Sequence, residues 1–379
     1  MKKNSVTPYN SYTTEKIMEL CAHLEKNEAT LQSKKVTTGF DGFIDTIVRI
    51  IKTKQEQKPP VLFSTIKEFG DYILEKQGAS FSLETEQPIY KIGGNMPLMA
   101  NTLGCLGTHV NCVGALGYPG IHPVFKNLSS NCSMYSFAEP GTSTAFEFND
   151  GKIFLAQMGT LNTLGWNKIK DIIGIDALID LYKESDLLSI VNWSEIDAST
   201  GIWKGLLEDV LPLYTSAEKQ IAFFDLADCS KRSSESIAEI LMLLKEFSRY
   251  TKVILGLNKN EAGLIYRVLY QKNAEENLQH IGEKIFEKLS IETLLLHSSK
   301  EAIAYNKENV FARKSFFISN PVISTGAGDN FNAGFCVAQL LQADFESSLI
   351  FAHAVSGSYV KTGISPQLTD VIKFLEDNK

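Results

Sequence analysis

Residues 324–329 have the types and spacing for chemistry on a phosphoryl group. They read Ser-Thr-Gly-Ala-Gly-Asp and precede a helical pattern that starts with Phe331. Backbone N–H groups at a helix N-terminus favour an anion, and Gly326 and Gly328 would let a phosphate approach closely. An alcohol attacking a phosphoryl group also needs a base, which Asp329 could supply. The pattern indicates phosphoryl transfer, with a Gly-rich turn before a core helix as the plain alternative.

Two other phosphate-binding motifs are excluded. A Walker A loop ends in Gly-Lys-Ser/Thr, and no such tripeptide follows a Gly-rich stretch in this chain. A dinucleotide fingerprint needs a third glycine where Phe331 stands, and it belongs to the first strand–helix–strand unit of a domain.

Apolar strand-like runs alternate with amphipathic helix-like runs along the chain. This alternation predicts an α/β fold with a mostly parallel sheet flanked by helices. Such folds bind ligands at the carboxyl ends of strands, so Asp225, Asn258 and Glu261 are expected to converge there. The predicted strands are Val110–Leu116, Leu187–Trp193, Ile221–Leu226, Lys252–Leu257 and Thr293–Leu296, and the predicted helices are Ser234–Tyr250, Asn260–Tyr270 and Leu278–Lys288.

Two further segments have clear local signals. Thr142–Phe148 and Lys152–Ala156 flank Asn149-Asp150-Gly151, which predicts a β-hairpin. Within residues 11–31 an apolar stripe predicts an amphipathic helix before the first strand. The stripe consists of Ile17, Leu20, Cys21 and Leu24.

Several motifs together resemble the PfkB/ribokinase family of small-molecule kinases, in the family's order and from about Val36 to Leu375. Residues 325–335, Thr-Gly-Ala-Gly-Asp-Asn-Phe-Asn-Ala-Gly-Phe, resemble its C-terminal signature. Gly-Gly-Asn at 93–95 with the stretch from Ala100 to Gly107 resembles its first signature. The remaining matches are the first strand at 39–45, the Asn-x-x-Glu motif at 258–261, and Phe224-Asp225, which stands where the family carries a strand-end Asp-Pro-Asn.

The resemblance implies a ribokinase-like kinase domain over residues 36–379, preceded by an N-terminal helical extension at 1–35. It also implies that the hairpin belongs to a small β lid at about 137–160, with an edge hairpin of the main sheet as the alternative. The interval from Asp45 to Gly93 is longer than the family pattern and contains a helical run at Thr65–Lys76.

The resemblance assigns roles to individual residues. Asp41 and Asp45 are expected near the end of the first strand, where both carboxylates can accept hydrogen bonds from vicinal hydroxyls. The implied catalytic residues are Asp329 as base and Gly326, Ala327 and Gly328 as amide donors. The implied substrate-binding residues are Asp41, Asp45, Gly93, Gly94 and Asn95; the nucleotide-binding residues are Asn258, Ser298, Thr325, Gly326, Gly328 and His353; and the magnesium residue is Glu261.

The chain departs from the family pattern at several places. Ile323 replaces the Asp that usually opens the C-terminal signature, and Leu98 replaces an Asn of the first signature. The nucleotide loop is altered to His-Ser-Ser-Lys-Glu-Ala at 297–302, and Tyr-Pro-Gly at 118–120 replaces an acidic residue. These positions bear on the substrate and on nucleotide contacts.

Composition favours a soluble enzyme. The 379 residues carry a net charge of −7 with no Lys/Arg-rich block, so nucleic acid is not expected as a partner. No run has the length and hydropathy of a membrane span, and the first residues lack the apolar region of a signal peptide, so a cytoplasmic location is expected. The six cysteines contain no CxxC pair and are expected to be reduced.

The expected reaction is transfer of the ATP γ-phosphoryl group, with Mg²⁺, to a hydroxyl of a small sugar. A nucleoside kinase, a non-catalytic sugar or nucleotide sensor, and ADP as the donor stay open as alternatives. The resemblance also leaves open a monovalent cation as a further ion and a homodimer as the assembly.

Overall fold

The computed structural model describes residues 13–214, 219–273 and 277–379. Within those ranges, no helix combines the length and the apolar character that crossing a membrane requires. The strands are β1 (Lys35–Phe40), β2 (Phe43–Val48), β3 (Ile50–Gln55), β4 (Lys58–Leu62), β5 (Glu84–Thr85), β6 (Ile89–Gly93), β7 (His109–Gly114), β8 (Cys132–Ser136), β9 (Gly141–Phe148), β10 (Gly151–Gln157), β11 (Leu187–Ile190), β12 (Ile221–Asp225), β13 (Lys252–Asn258), β14 (Thr293–His297), β15 (Glu301–Tyr305) and β16 (Val310–Lys314). The helices are α1 (Thr14–Lys26), α2 (Glu28–Gln32), α3 (Ile66–Glu75), α4 (Asn95–Leu106), α5 (Trp166–Ile173), α6 (Ile175–Lys183), α7 (Ser199–Asp209), α8 (Ser234–Phe247), α9 (Lys259–Tyr270), α10 (Leu278–Lys288), α11 (Ala327–Leu340), α12 (Phe345–Thr362) and α13 (Leu368–Asp377).

The main sheet has the strand order β16-β15-β14-β13-β12-β11-β1-β7-β8. Neighbouring strands run parallel from β8 to β14, whereas β14, β15 and β16 are antiparallel to one another. Successive residues Phe223 and Phe224 are both fully buried, as expected when helices cover both faces. The predicted α/β fold is confirmed.

The predicted hairpin is confirmed, and it lies outside the main sheet. β9 and β10 pair antiparallel through Phe148 and Gly151, and they join β2 and β6 in a separate sheet of order β10-β9-β2-β6. We call this sheet the lid. β9 runs parallel to β2, and β6 runs antiparallel to it.

The expected position of Asp45 at the end of the first strand is wrong. β1 ends at Phe40, and the chain turns at Asp41-Gly42 out of the main sheet. A Cβ on Gly42 would overlap the carbonyl of Ala115, so only glycine allows this close crossing. The chain then enters β2, which places Asp45 within the lid, whereas Asp41 stays at the carboxyl end of β1.

The long interval between β2 and β6 forms a unit attached to the lid. β3, β4 and β5 make a third sheet, and α3 packs its Phe69 against Phe63 and against Phe148 of the lid. Two backbone groups fasten this unit to the turn of the hairpin. Ile66 N donates to Asp150 Oδ1 over 2.9 Å, and Asn149 N donates to the Ser64 carbonyl over 2.9 Å.

The N-terminal amphipathic helix is confirmed as α1. Its apolar stripe is buried, with Ile17 and Leu24 at 0% exposure, and it packs on α12 and α13. Lys16 Nζ also reaches Asp344 Oδ2 over 3.0 Å at the start of α12. The division of the chain at residues 35 and 36 into an extension and a kinase domain stays a prediction.

Candidate active site

The turn before α11 is held in one conformation by its neighbours. Gly326 has φ +85°, a left-handed value that glycine accepts without strain, and a Cβ there would lie 2.8 Å from Tyr359 Oη. Tyr359 Oη donates to the Thr325 carbonyl over 2.9 Å, and Ser356 Oγ donates to the Ala327 carbonyl over 2.9 Å. The turn therefore presents the first N–H groups of α11 from a fixed position.

Asp329 lies in the first turn of α11. Its Oδ1 accepts a hydrogen bond from Asn95 Nδ2 over 3.0 Å. Burial, followed by the negative charges of Asp225 and Asp41, raises the pKa of Asp329 well above its ordinary value. A carboxylate with raised proton affinity, fixed in direction beside an anion-binding helix terminus, can accept a proton from a hydroxyl.

Asp41 is fully buried and already hydrogen-bonded through both oxygens. Oδ1 accepts from Met96 N over 2.8 Å, and Oδ2 accepts from Asn192 Nδ2 over 2.7 Å. Burial raises the pKa of Asp41 to about 6, and these bonds oppose the rise. Because Met96 follows Asn95 in α4, Asp41 fixes the helix that orients Asp329.

Asp45 faces a cleft between the lid and the main body. Its Oδ1 accepts from Ser143 Oγ over 2.6 Å on the neighbouring strand β9. Burial raises the pKa of Asp45, while the Ser143 bond and the charge of Lys152 lower it in part. The cleft is lined by Asp45, Ile47, Lys91, Ile92, Leu98, Lys152, Phe154, Ile323, Thr325 and Tyr359.

Gly93 and Gly94 contribute by lacking side chains. A Cβ on Gly93 would overlap the Asp45 carboxylate, and one on Gly94 would overlap Asp41 Oδ2. Gly94 also has φ +91° and precedes the first residue of α4. The two glycines therefore let the backbone just before α4 lie against both carboxylates.

A larger cavity lies on the other side of the 325–328 segment. It has a volume of about 660 Å³, within the range of small-ligand pockets. Thr325 lines the Asp45 cleft, whereas Ala327 and Gly328 line this cavity, so the turn lies between the two spaces. The cavity is also lined by the predicted nucleotide residues Asn258, Ser298 and His353.

Two histidines stand in the wall of this cavity. The rings of His297 and His353 contact Phe331 with centroid separations of 5.1 and 5.0 Å. Burial lowers the pKa of His297 to about 4 and that of His353 to about 3, so both are neutral at pH 7. Nε2 of His353 is buried without a hydrogen-bond partner.

Glu261 forms a capping box at the start of α9. Asn258 Oδ1 accepts from Glu261 N over 3.0 Å, and Glu261 Oε2 accepts from Asn258 N over 2.8 Å. Burial and the negative charges of Asp225, Asp228 and Asp329 raise the pKa of Glu261 well above its ordinary value. Within the described ranges, no three His, Cys, Asp or Glu side chains are grouped as a preformed metal site.

The structure adds residues that the sequence analysis did not select. Asn192 Nδ2 donates to Asp41 Oδ2 over 2.7 Å, and Asn332 Nδ2 donates to Asp225 Oδ2 over 2.8 Å. Burial raises the pKa of Asp225 to about 6. Asp41, Asp225 and Asp329 are thus each held by an asparagine of another element, whereas Asp45 is held by Ser143. Asn192 comes two residues after β11, and Asn258 is the last residue of β13. A polar residue at the carboxyl end of a buried strand is the signal that could have found Asn192.

Two departures from the family pattern meet in the Asp45 cleft. Leu98 and Ile323 both line it, and a Cβ on Gly326 would lie 3.4 Å from Leu98 Cδ1. The wall opposite the lid is therefore apolar at the two positions where the family pattern is polar.

Comparison with known proteins identifies the family of this chain. The sequence profile of the prokaryotic ketohexokinase family matches residues 11–378. A ketohexokinase of Haloferax volcanii is 25% identical over 342 residues, covering 90% of each chain.

Solved structures agree in fold. The ribokinase of Arabidopsis thaliana complexed with ribose and ATP has a TM-score of 0.64 at 17% identity, covering 91% of this chain and 99% of that one. A putative ribokinase II from E. coli in complex with ATP and Mg²⁺ has a TM-score of 0.60 at 15% identity, again covering 91% and 99%. The chain therefore belongs to the prokaryotic ketohexokinase family, a family of carbohydrate kinases with the ribokinase fold.

Proposed function

We propose that this carbohydrate kinase transfers the γ-phosphoryl group of ATP to a hydroxyl of a ketohexose. One observation supports the proposal above the others. The 325–328 turn lies between a nucleotide-sized cavity and the cleft that contains Asp45, and Asp329 follows this turn directly in the sequence. A phosphoryl group passing from one space to the other would cross the N-terminus of α11, where backbone N–H groups stabilise its negative charge.

Asp329 is proposed as the base that takes the proton of the attacking hydroxyl. Its raised pKa, caused by burial and by Asp225 and Asp41, supports this role, because a carboxylate of ordinary acidity holds a proton poorly. Asn95 is proposed to hold the carboxylate in the reacting direction through its 3.0 Å hydrogen bond. The amides of Gly326, Ala327 and Gly328 are proposed as the donors to the phosphoryl oxygens.

The donor site is proposed to bind ATP in the 660 Å³ cavity, with Asn258, Ser298 and His353 in contact and Thr325 at its border. Lys300 and Lys314 in the same lining supply positive charge for an anionic ligand. The structurally similar putative ribokinase II from E. coli is in complex with ATP and Mg²⁺, which supports ATP as the donor here.

A magnesium ion is proposed next to Glu261 and Asp225, where it would offset the negative charge of the phosphates. The donor set fits the ion, because burial raises the pKa of both carboxyl groups and the charge of Asp225 raises that of Glu261 further, and a cation would offset both effects. Glu261 already accepts two hydrogen bonds from Asn258, so contact through water suits it better than direct ligation. A monovalent cation and a homodimer stay predictions.

The acceptor is proposed to bind at Asp45, with Gly93, Gly94 and Asn95 beside it. The Haloferax volcanii relative and the matching family are both ketohexokinases, which supports a ketohexose as the acceptor here. Asp45 accepts hydroxyl hydrogen bonds in this proposal, while the buried Asp41 fixes the start of α4.

The test is an ADP-release assay over ketohexoses, aldohexoses, sugar phosphates and nucleosides, with ATP or ADP as the donor. The expected result is ATP-dependent turnover with the highest kcat/KM on a ketohexose. A nucleoside as the best acceptor would favour the nucleoside kinase alternative, and turnover with ADP but not ATP would contradict the proposed donor. Absence of turnover on every acceptor would contradict the proposal.

A further inference from the structure

The inner face of the lid has a second polar group beside Asp45. In the β9–β10 pairing Lys152 lies opposite Glu147, and Lys152 Nζ contacts Glu147 Oε1 over 2.9 Å. Ser143, the partner of Asp45, is four residues before Glu147 on β9, so these side chains share one face of the lid. Lys152 and Asp45 both line the cleft.

The ammonium of Lys152 is positioned rather than free in solvent. Its side chain is 24% exposed, and the contact with Glu147 on the adjacent strand restrains its direction. An ammonium has three N–H donors, so the Glu147 contact leaves donors for a ligand in the cleft. Asp45, already hydrogen-bonded to Ser143, retains lone pairs as an acceptor.

A sugar hydroxyl both donates and accepts, and this cleft offers a partner for each role. We infer that Lys152 is a specificity-determining residue, which donates hydrogen bonds to hydroxyls of the same sugar that Asp45 binds as an acceptor. The inference rests on the proposed function and extends it to the residues that select the sugar.

The charges of the cleft favour a neutral sugar over a sugar phosphate. Lys91 and Lys152 line it with Asp45, and Glu147 pairs with Lys152, so two positive and two negative groups balance. The opposite wall contains Leu98 and Ile323, which can contact the C–H groups of a sugar but cannot bind a phosphate.

A pH effect separates this role from a structural one. The charged and titratable groups around Asp45 are Lys152 with Glu147, Lys91, and Tyr359 of α12. The charge of Lys152 lowers the pKa of Asp45, so removal of Lys152 raises the pKa of Asp45. A protonated Asp45 donates a hydrogen bond through one oxygen and is a weaker acceptor for sugar hydroxyls. The acidic limb of kcat/KM for the sugar should therefore move to higher pH in the Lys152→Met variant.

The experiment compares wild type, Lys152→Met, Lys152→Arg and the matched control Lys204→Met. Lys204 of α7 forms a comparable surface ion pair with Glu239 of α8, over 2.6 Å. KM and kcat are measured for the best neutral ketohexose, for the corresponding ketohexose 6-phosphate and for ATP, together with the pH profile.

Lys152→Met should raise the ketohexose KM about tenfold to a hundredfold, the range for loss of a charge-assisted hydrogen bond, with kcat and the ATP KM within about twofold. Lys152→Arg should recover most of the affinity, and Lys204→Met should match wild type. An unchanged ketohexose KM and pH profile in Lys152→Met would overturn the inference.

A different result would be that wild type prefers the 6-phosphate and that this preference is lost in Lys152→Met. This result would show that Lys152 recognises an anionic sugar and would overturn the inference. A wild type without turnover on any ketohexose overturns the proposed function and this inference together. An active wild type with an unchanged Lys152→Met variant overturns the inference alone.

Discussion

Replacement of Asp329 by asparagine should separate catalysis from stability. Asn is nearly isosteric, and its carbonyl oxygen can still accept the 3.0 Å hydrogen bond from Asn95, so the start of α11 should keep its geometry. It cannot accept a proton. Loss of a general base lowers kcat by about 10²–10⁴, which corresponds to about 2.7–5.5 kcal/mol of transition-state stabilisation.

The same substitution should stabilise the unliganded protein. The ionised carboxylate is disfavoured by burial and by repulsion from Asp225 and Asp41, which is why its pKa is raised. A group with a raised pKa contributes stability at low pH that is lost as pH rises through its folded value. An asparagine does not ionise, so the Asp329→Asn variant does not lose stability in this way as pH rises. Its melting temperature at pH 8 should exceed that of wild type, and its stability should depend less on pH.

The assay is steady-state kinetics at saturating ATP and sugar, with ATP binding by calorimetry and thermal melting between pH 4 and pH 8. Asp71→Asn is the matched control, because Asp71 is exposed in a surface pair with Lys67. A kcat close to wild type in Asp329→Asn would refute the proposed base. A lower melting temperature at pH 8 would refute the electrostatic argument, because the carboxylate would then be a net stabilising group.

Three further predictions concern the turn, the N-terminal helix and the buried aspartates. Tyr359→Phe removes the 2.9 Å bond to the Thr325 carbonyl, which should cost about 1 kcal/mol of unfolding free energy and lower kcat by up to about tenfold through misplacement of the turn. Leu20→Ala in α1, where Leu20 is 1% exposed, should cost about 2–5 kcal/mol in urea denaturation without changing the order of sugar preference. Asp41 and Asp225, with pKa values of about 6, should make the unfolding free energy fall as pH rises from about 4 to about 6, and Asp41→Asn should reduce that slope.

Each of these has a contrary outcome. Wild-type kcat and stability in Tyr359→Phe would mean that packing alone holds the turn. Unaltered stability of Leu20→Ala would contradict the packing of α1 on α12 and α13. A stability that rises steadily between pH 4 and pH 6, with the same slope in Asp41→Asn, would mean that these carboxyl groups do not bind protons in the folded state.

The sequence alone predicted those elements whose signals lie in neighbouring residues. Apolar runs such as Lys252–Leu257 predicted parallel strands, and Asp-Gly between alternating runs predicted the hairpin that joins β9 and β10. The stripe of Ile17, Leu20, Cys21 and Leu24 predicted the buried face of α1. These signals depend only on residues adjacent along an element, so no tertiary information was needed.

The position of Asp45 could not be read in the same way. Whether a chain continues in one sheet or crosses to another at Gly42 depends on contact with Ala115, which is distant in sequence. The strands β3 and β4 were likewise not predicted, since their residues are mostly exposed and β4 contains two prolines.

The hydrogen-bond partners of the site aspartates were the other gap. Asn192 and Asn332 lie 151 and 107 residues from the carboxylates that they bind, so their roles follow from tertiary folding alone. Lys152 was seen only as part of the hairpin, because its proximity to Asp45 requires the lid sheet to form.

Asparagine, as the partner of Asp41, Asp225 and Asp329, fixes the direction of a carboxylate without placing a positive charge beside it. A lysine or arginine next to Asp329 would also fix its direction, but its positive charge would lower the pKa and weaken the proton affinity. An amide donor restrains the oxygen without changing the charge of the site. Loss of an asparagine partner should therefore change the direction of a carboxylate and raise its pKa, whereas loss of a neighbouring carboxylate should lower the pKa of Asp329 and leave its hydrogen bond to Asn95 in place.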